Sequence, residues 1–167
     1  KRCISSLNAI EILDYLFSIE CLDQHVTLTI DSDEWIMLKH CGLTCVLGLK
    51  GGVGKSSLVL ALYQYLTEQG MDVGVVSNDP ISRRMEKIVA DSFLHISRGA
   101  NFPAVKRTDD LIFDFGGFPE SRAYGVLGNA RNVLLPTLGD SVSIEGCIES
   151  LRQVEPLTQG RIAVIAS

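Results

Sequence analysis

The stretch "LTCVLGLKGGVGKSSLVLALYQYL", residues 43–66, decides the fold of this chain. It begins as a short apolar run, passes through a glycine-rich loop and continues with apolar residues at helical spacing. A short apolar run is typical of a strand buried on both faces of a parallel sheet. A glycine loop between such a strand and a helix presents backbone N–H groups and the positive helix end to an anion. The stretch therefore predicts a phosphate-binding site.

The residue types in this loop fit a nucleoside triphosphate. Glycine can adopt positive φ, so the backbone can approach phosphate oxygens closely. A lysine after the last glycine reaches the β- and γ-phosphates, and the next hydroxyl is offered to Mg²⁺. A glycine-rich turn with a solvated lysine is the alternative, and the flanking strand and helix argue against it. The expected nucleotide contacts are Gly51, Gly52, Val53, Gly54, Lys55, Ser56 and Ser57.

Strand and helix patterns alternate from Leu43 to the end of the chain. Strands are predicted within 43–49, 71–80, 109–120, 132–137 and 161–167. Helices are predicted over 55–70, 81–94, 120–130 and 143–155. This alternation indicates an α/β fold, a mostly parallel sheet with helices on both faces. We expect residues 41–167 to form this domain. Since the chain stops directly after a strand, C-terminal truncation of the domain is left open.

Residues 1–40 follow a different pattern and are predicted to be an N-terminal extension. Apolar residues at helical spacing predict an amphipathic helix over 4–20. "HVTLTI", residues 25–30, alternates as a half-buried strand does, and "WIMLKH", residues 35–40, is a candidate for the second strand of a hairpin. A membrane-surface role for the helix is weakened because its polar face lacks Lys and Arg.

Composition narrows the class of protein. The 167 residues carry a net charge of −5 and a sequence pI of about 5.1, which argues against a surface that is basic throughout. The five cysteines are scattered, which favours reduced thiols and a cytoplasmic location. Cys41 and Cys45 lack the second pair that a zinc site needs. No apolar run approaches the ~20 residues that span a bilayer.

The lysine before the glycines adds a more specific signal. The general P-loop pattern has a glycine at the position of Leu49, whereas residues 50–56 read K-G-G-x-G-K-S. In this the chain resembles the ParA/MinD family of deviant Walker A ATPases, which belong to the P-loop NTPases. The short interval between Lys55 and Asp114 is similar to that of the compact plasmid partition ATPases.

The resemblance implies a fold, a cofactor and an assembly. Family members bind ATP with Mg²⁺ and form a homodimer in that state. Their signature lysine, here Lys50, reaches the nucleotide of the partner subunit. Lys50 and Lys55 would then place positive charge against the developing phosphoryl charge, which is how phosphoryl transfer is mainly catalysed. Hydrolysis is expected to be slow and stimulated by a partner protein.

Two acidic positions extend the resemblance. "SNDP", residues 77–80, matches the family pattern D-x-D-P except that Ser77 replaces the first acid. The resemblance implies that Asp79 is catalytic and orients the attacking water, or contacts Mg²⁺ through water. Asp114 in "LIFDFGG" follows a buried run, where open sheets bind ligands. Asp114 and Ser56 are the expected magnesium residues, and Gly117, or its neighbour, is expected to sense the γ-phosphate.

The resemblance predicts an ATP-dependent dimerising switch ATPase that positions cargo, most specifically in plasmid or DNA partition. The alternative is a weakly hydrolysing nucleotide-binding assembly or localisation factor of a conjugation- or secretion-type machine. GTP stays open although the sequence has no N/T-K-x-D motif. Non-specific DNA is an open partner, with basic candidates at Arg83, Arg84, Lys87 and at Lys106–Arg107, although a solvated helix face is the simpler explanation of both groups.

Overall fold

A computed structural model describes residues 26–29, 42–117 and 120–166. Its strands are β1 (Val26–Thr29), β2 (Leu43–Val46), β3 (Gly74–Ser77), β4 (Phe93–His95), β5 (Leu111–Asp114), β6 (Asn132–Thr137) and β7 (Arg161–Ala166). Its α-helices are α1 (Lys55–Glu68), α2 (Arg83–Val89), α3 (Tyr124–Asn129) and α4 (Ser141–Val154). Short 3₁₀ turns cover Pro80–Ser82, Ala90–Ser92, Ser121–Ala123 and Glu155–Leu157.

The strands of the described residues form one sheet in the order β1-β7-β6-β2-β5-β3-β4. Every adjacent pair runs parallel. The predicted α/β fold with a parallel sheet is therefore confirmed. Strand β2 lies in the middle, with β5 on one side and β6 on the other. Loops that follow the carboxyl ends of β2, β3 and β5 consequently gather at one edge of the sheet, where open α/β sheets bind ligands.

Alternate residues along the central strands point to opposite faces of the sheet. Cys45 and Phe113 belong to the apolar cluster that includes Leu151 of α4. Val46 and Ile112 belong to the cluster on the other face, which includes buried residues of α1 and α2. Both faces are thus covered by helices, and this is why these strands read as continuous apolar runs rather than as alternating ones.

The predicted helix over 81–94 is only partly present, and its last part was assigned wrongly. Helix α2 ends at Val89, and Ala90 has φ 53°, a left-handed conformation that interrupts the helical path. Phe93–His95 then pairs with β3, Val75 opposite Phe93. Local spacing favoured a helix, but pairing with β3 gives these three residues backbone hydrogen bonds on one side and decides their conformation.

The strand predicted near the N-terminus is present and belongs to the same sheet. β1 runs parallel to β7, with Val26 opposite Ile162 and Thr29 opposite Ile165. The helix predicted over 4–20 and the second hairpin strand predicted over 35–40 lie outside the described residues. The boundary between an extension and a domain near residue 40 accordingly stays a prediction.

Two further features concern membrane crossing and thiol reactivity. Within the described ranges, no helix combines the length and the apolar character that crossing a membrane requires. Cys45 and Cys147 are buried free thiols. Burial raises the pKa of Cys147 to about 12, and it raises the pKa of Cys45 further still. Neither thiol is therefore poised to act as a nucleophile near neutral pH.

Candidate nucleotide-binding site

The glycine loop connects the carboxyl end of β2 to the first residue of α1. Gly52 and Gly54 have φ values of 77° and 87°, which side-chain-bearing residues rarely adopt. A Cβ atom added at either residue would meet no heavy atom within 4 Å. The glycines are therefore required by backbone conformation, and the space in front of the loop is open. Leu58 N donates to Gly54 O at 2.9 Å, which closes the first turn of α1 behind the loop.

Lys55 lies inside the loop rather than in solvent. Its residue is 8% exposed, and its Nζ donates to Lys50 O at 3.0 Å. Burial lowers the pKa of the Lys55 ammonium, while the nearby carboxylates of Asp114 and Asp79 oppose that shift. A partly desolvated ammonium held against the loop backbone is well placed to gain a charge-assisted contact with a phosphate.

Asp114 carries the strongest electrostatic signature of the site. The residue is fully buried, and burial raises the pKa of its carboxyl to about 6, although hydrogen bonds from Ser77 and Ser56 oppose the rise. Its Oδ2 accepts from Ser77 Oγ at 3.1 Å and from Ser56 Oγ at 3.3 Å. Its Oδ1 is buried and has no hydrogen-bond partner among the described residues. A buried polar atom without a partner is costly, so it marks a place for a ligand.

These oxygen atoms fit a magnesium ion. Mg²⁺ prefers hard oxygen ligands and is usually held by one or two protein groups together with substrate phosphates and water. Asp114 Oδ1 is unengaged by the described residues, and Ser56 Oγ keeps lone pairs when its hydrogen goes to Asp114 Oδ2. The two magnesium residues predicted from the sequence therefore lie within one hydrogen bond of each other.

The segment after β3 packs directly against the segment after β5. Asp79 N donates to Ser77 Oγ at 3.1 Å, and Gly116 N donates to Asn78 Oδ1 at 2.9 Å. A Cβ atom added to Gly116 would lie 2.9 Å from Asp79 Cα. Gly116 thus permits a close approach that any side chain would prevent. Asp79 is held near Lys55 and Asp114 by this contact, as its electrostatic influence on both groups indicates.

Gly117, the predicted γ-phosphate sensor, differs from Gly116 in the hydrogen bonding of its backbone N–H. The N–H of Gly116 is already engaged by Asn78. No described residue accepts a hydrogen bond from the Gly117 N–H, and a Cβ atom at Gly117 would meet nothing within 4 Å. The role of Gly117 towards a γ-phosphate stays a prediction.

Lys50 is held inside its own chain. Its Nζ donates to Ser143 Oγ at 2.9 Å and lies 3.2 Å from Asp140 Oδ1. Asp140 also caps α4 by accepting from Ser143 N at 2.9 Å. Hydrogen bonds from the Ser143 hydroxyl and backbone, and then from Lys50, lower the pKa of Asp140 to about 2. The role of Lys50 on a partner's nucleotide stays a prediction, and any such role requires this contact to be exchanged.

Helix α4 packs against the first half of the glycine loop. The sequence did not indicate this contact. Leu49 N donates to Ser150 Oγ at 3.0 Å, and a Cβ atom at Gly146 would lie 3.5 Å from Lys50 Cβ. Ser143, Gly146 and Ser150 are spaced at i, i+3 and i+7, so they share one helix face. Their small size at helical spacing was the available signal, but nothing local showed which loop that face would meet.

The other predicted nucleotide contacts follow the loop. Val53 is buried, with 3% exposure, while the residues at Gly51 and Ser57 are exposed. Ser57 lies in the first turn of α1, beside Ser56. The structure thus brings the predicted loop, lysine, hydroxyl and acidic residues to one edge of the sheet. It also adds Ser77, Asn78, Asp140 and Ser143, which sequence reasoning did not assign to the site.

Comparison with known proteins supports the same fold. A family model described as "Methylmalonyl Co-A mutase-associated GTPase MeaB" matches residues 33–93, which include the glycine loop. The kinase domain of Escherichia coli tyrosine kinase ETK superposes with a TM-score of 0.56 at 15% identity, covering 81% of this chain and 71% of that one. This similarity places the chain in the P-loop NTPase fold.

A second solved structure is more distant. It is a nucleotide-binding protein in complex with ADP from Archaeoglobus fulgidus, with a TM-score of 0.45 at 13% identity, covering 76% of this chain and 68% of that one. No curated protein matches the sequence. The superposition on the ETK kinase domain shows the fold alone and not the activity of this chain.

Proposed function

We propose that this protein is an ATP-dependent dimerising switch ATPase that positions cargo, with plasmid or DNA partition as the specific role. One observation carries the proposal. Lys55 lies across a positive-φ glycine loop, directly beside the Ser56–Asp114 pair whose Oδ1 atom is buried and unpartnered by any described residue. This arrangement offers donors to phosphate oxygens and hard oxygen ligands to a metal within one small region.

The proposed cofactors are ATP and Mg²⁺. The backbone from Gly51 to Gly54 would surround the phosphates, and Lys55 would contact the β- and γ-phosphates. Ser56 and Asp114 would hold Mg²⁺, which when bound neutralises charge on the phosphates. GTP is the competing nucleotide, because the family model that matches residues 33–93 describes a GTPase. Competition between the two nucleotides in one binding assay separates them.

Dimerisation is proposed from Lys50 and its surroundings. The K-G-G-x-G-K-S pattern of residues 50–56 supports a lysine that acts on the nucleotide of a second subunit. Exposed apolar side chains next to Lys50 and to its partners support a contact at this face: Leu49 is 40% exposed, Leu138 36% and Val142 60%. On dimerisation Lys50 would leave Asp140 and Ser143 for the partner's nucleotide.

Slow, partner-stimulated hydrolysis follows from the same arrangement. A catalytic charge that must come from a second subunit makes assembly a precondition for phosphoanhydride hydrolysis. Asp79 is proposed to orient the attacking water, since Gly116 lets it lie close to the segment after β5. The family resemblance also supports two proposed partners, a hydrolysis-stimulating protein and non-specific DNA. It supports a cytoplasmic location as well.

The test combines assembly and turnover. Molar mass in solution is measured by light scattering in ADP and in a slowly hydrolysed ATP analogue, with and without plasmid DNA. Phosphate release is then measured for the wild type and for Lys50→Ala. A doubled mass of the wild type in the ATP analogue is expected, together with a loss of its stimulated phosphate release in Lys50→Ala. An unchanged monomer in every nucleotide would refute the dimerising switch, and absence of ATP and GTP binding would refute the nucleotide site itself.

The alternative proposal is a nucleotide-binding assembly or localisation factor that hydrolyses weakly. Ser77 favours it, because this residue replaces the first acid of D-x-D-P at a fully buried position. Under this alternative the protein binds ATP and assembles, but Lys50→Ala leaves phosphate release at its low wild-type rate. The same two measurements therefore distinguish the two functions.

A further inference from the structure

Ser77 forms hydrogen bonds to two parts of the site, the segment that follows strand β3 and the last residue of strand β5. It is the last residue of β3 and is fully buried. Its Oγ accepts from Asp79 N at 3.1 Å and donates towards Asp114, with Oδ2 at 3.1 Å and the main-chain O at 3.2 Å. A serine has one hydroxyl hydrogen, and a carboxylate is the stronger acceptor, so Oδ2 takes it preferentially.

The contact determines which carboxylate oxygen remains for a metal. Ser77 and Ser56 both approach Oδ2 of Asp114, and Oδ1 has no partner among the described residues. Two hydroxyls on one oxygen fix the rotation of the carboxylate about its last torsion, because turning it would break both bonds. The same Ser77 oxygen anchors the backbone of Asp79, so the two acidic segments share one support.

We propose that Ser77 is a positioning residue that aims Asp114 Oδ1 at Mg²⁺ and thereby sets the magnesium-dependent part of nucleotide affinity. The inference rests on the proposed nucleotide site. A serine at this position is then a working substitute for the missing acid. It supplies a donor to Asp114, whereas a carboxylate would place a second buried negative charge beside it.

The test measures nucleotide affinity with and without the metal, independently of turnover. The dissociation constant of a fluorescent ATP analogue is determined in Mg²⁺ and in EDTA, and the ratio of the two values is the magnesium enhancement. In Ser77→Ala the dissociation constant in EDTA is expected to stay within about twofold of the wild-type value. The magnesium enhancement is expected to fall about tenfold, the effect of losing one charge-assisted hydrogen bond. Ser77→Thr keeps the hydroxyl and is expected to restore the enhancement.

Two controls separate positioning from general loosening. Thr44→Val removes a buried hydroxyl near the amino end of β2, where Thr44 Oγ1 accepts from Asn132. Ser82→Ala removes a hydroxyl that donates to Asp79 O and is not bonded to Asp114. Both are expected to keep the wild-type magnesium enhancement. If Ser82→Ala loses as much enhancement as Ser77→Ala, the effect comes from the segment and the inference is wrong.

The remaining outcomes are also decisive. If Ser77→Ala does not fold, Ser77→Cys carries the same test, because a thiol has a similar size but is a weak donor. A normal enhancement in Ser77→Ala, or in Ser77→Cys where that variant replaces it, overturns the inference while leaving the proposed function intact. Wild-type protein that binds no nucleotide in Mg²⁺ overturns the proposed function first and the inference with it.

Discussion

The Lys50 ammonium lies 3.2 Å from Asp140 Oδ1, so this lysine is paired across 90 positions of its own chain. Both side chains are partly exposed, at 36% and 49%. An exposed ion pair of this kind is weak and easily exchanged. The pair therefore keeps Lys50 in a defined place without preventing it from moving to another anion.

Substitution at Asp140 separates the helix cap from the ion pair. Asp140→Asn keeps a side-chain oxygen for Ser143 N and is expected to melt close to the wild type, whereas Asp140→Ala loses the cap and melts lower. Asp140→Asn also removes the negative charge that faces Lys50 and weakens its hold, so we expect nucleotide-dependent self-association to strengthen about two- to fivefold. Calorimetry measures the melting and light scattering measures the association.

The control for this substitution lies on the same helix. Glu149 forms an exposed pair with Arg152, with 3.8 Å between the charged atoms. Glu149→Gln removes a comparable charge that is paired with Arg152 and not with Lys50, and it is expected to leave self-association unchanged. Weaker self-association in Asp140→Asn would show that Asp140 serves the assembled form rather than competing with it.

Lys55→Met tests the phosphate contact. Methionine preserves most of the buried stem and removes the desolvated ammonium, so the variant is expected to fold at least as stably as the wild type. Affinity for ATP in Mg²⁺ is expected to fall by about 100-fold, the effect of losing charge-assisted contacts. Lys106→Met, at an exposed lysine, is the control in the same calorimetric titration. Equal affinities in both variants would exclude Lys55 from the site.

The raised pKa of Asp114 predicts that the folding stability measured in EDTA depends on pH. Its pKa is about 6 in the folded protein and 3.8 ordinarily, so between these values the folded protein keeps a proton that the unfolded chain has released. Its stability contribution is complete below pH 4 and is lost as the pH rises to 6. Asp114→Asn avoids this cost and is expected to be more stable than the wild type by roughly 3 kcal/mol at pH 7.

The measurement for Asp114 is urea unfolding of both proteins at pH 4, 5, 6 and 7 without magnesium. The two proteins are expected to be about equally stable at pH 4, where the wild-type carboxyl is neutral. The lowered pKa of Asp140 acts on both proteins alike and cancels in the comparison. A stability difference that stays constant with pH would contradict the prediction.

Gly116→Ala tests the contact between the two acidic segments. The added methyl would lie 2.9 Å from Asp79 Cα, so a backbone atom of the segment after β3 would have to shift. We expect a loss of about 1–3 kcal/mol in unfolding free energy. Gly117→Ala, whose methyl would meet nothing within 4 Å, is the matched control and should cost much less. Chemical denaturation compares them, and equal losses would rule out the steric explanation.

The phosphate loop and its fold were predictable because their signals are local. The strand, the glycine order of residues 51–54 and the helix that follows lie within one continuous stretch, and positive φ at Gly52 and Gly54 is a property of glycine itself. The position of Asp114 was also predictable, since an acid directly after a buried parallel strand lies at the carboxyl edge of the sheet.

The pairing of distant residues was not predictable in the same way. The sequence indicated neither that β4 would replace the end of a helix nor that β1 would run parallel to β7. It presented Ser77 as a lost acid, whereas the fold uses its hydroxyl to hold Asp114. Nothing in the order of residues related these pairs.

What the sequence by itself determined is thus the parallel α/β fold and a loop able to surround phosphates, because apolar periodicity and glycine geometry act over a few residues. Tertiary structure alone decided that Lys50 lies beside Asp140 and that Ser77 meets Asp114. Both contacts depend on which strands and helices become neighbours, and that order is set by burying both faces of the whole sheet rather than by any local preference.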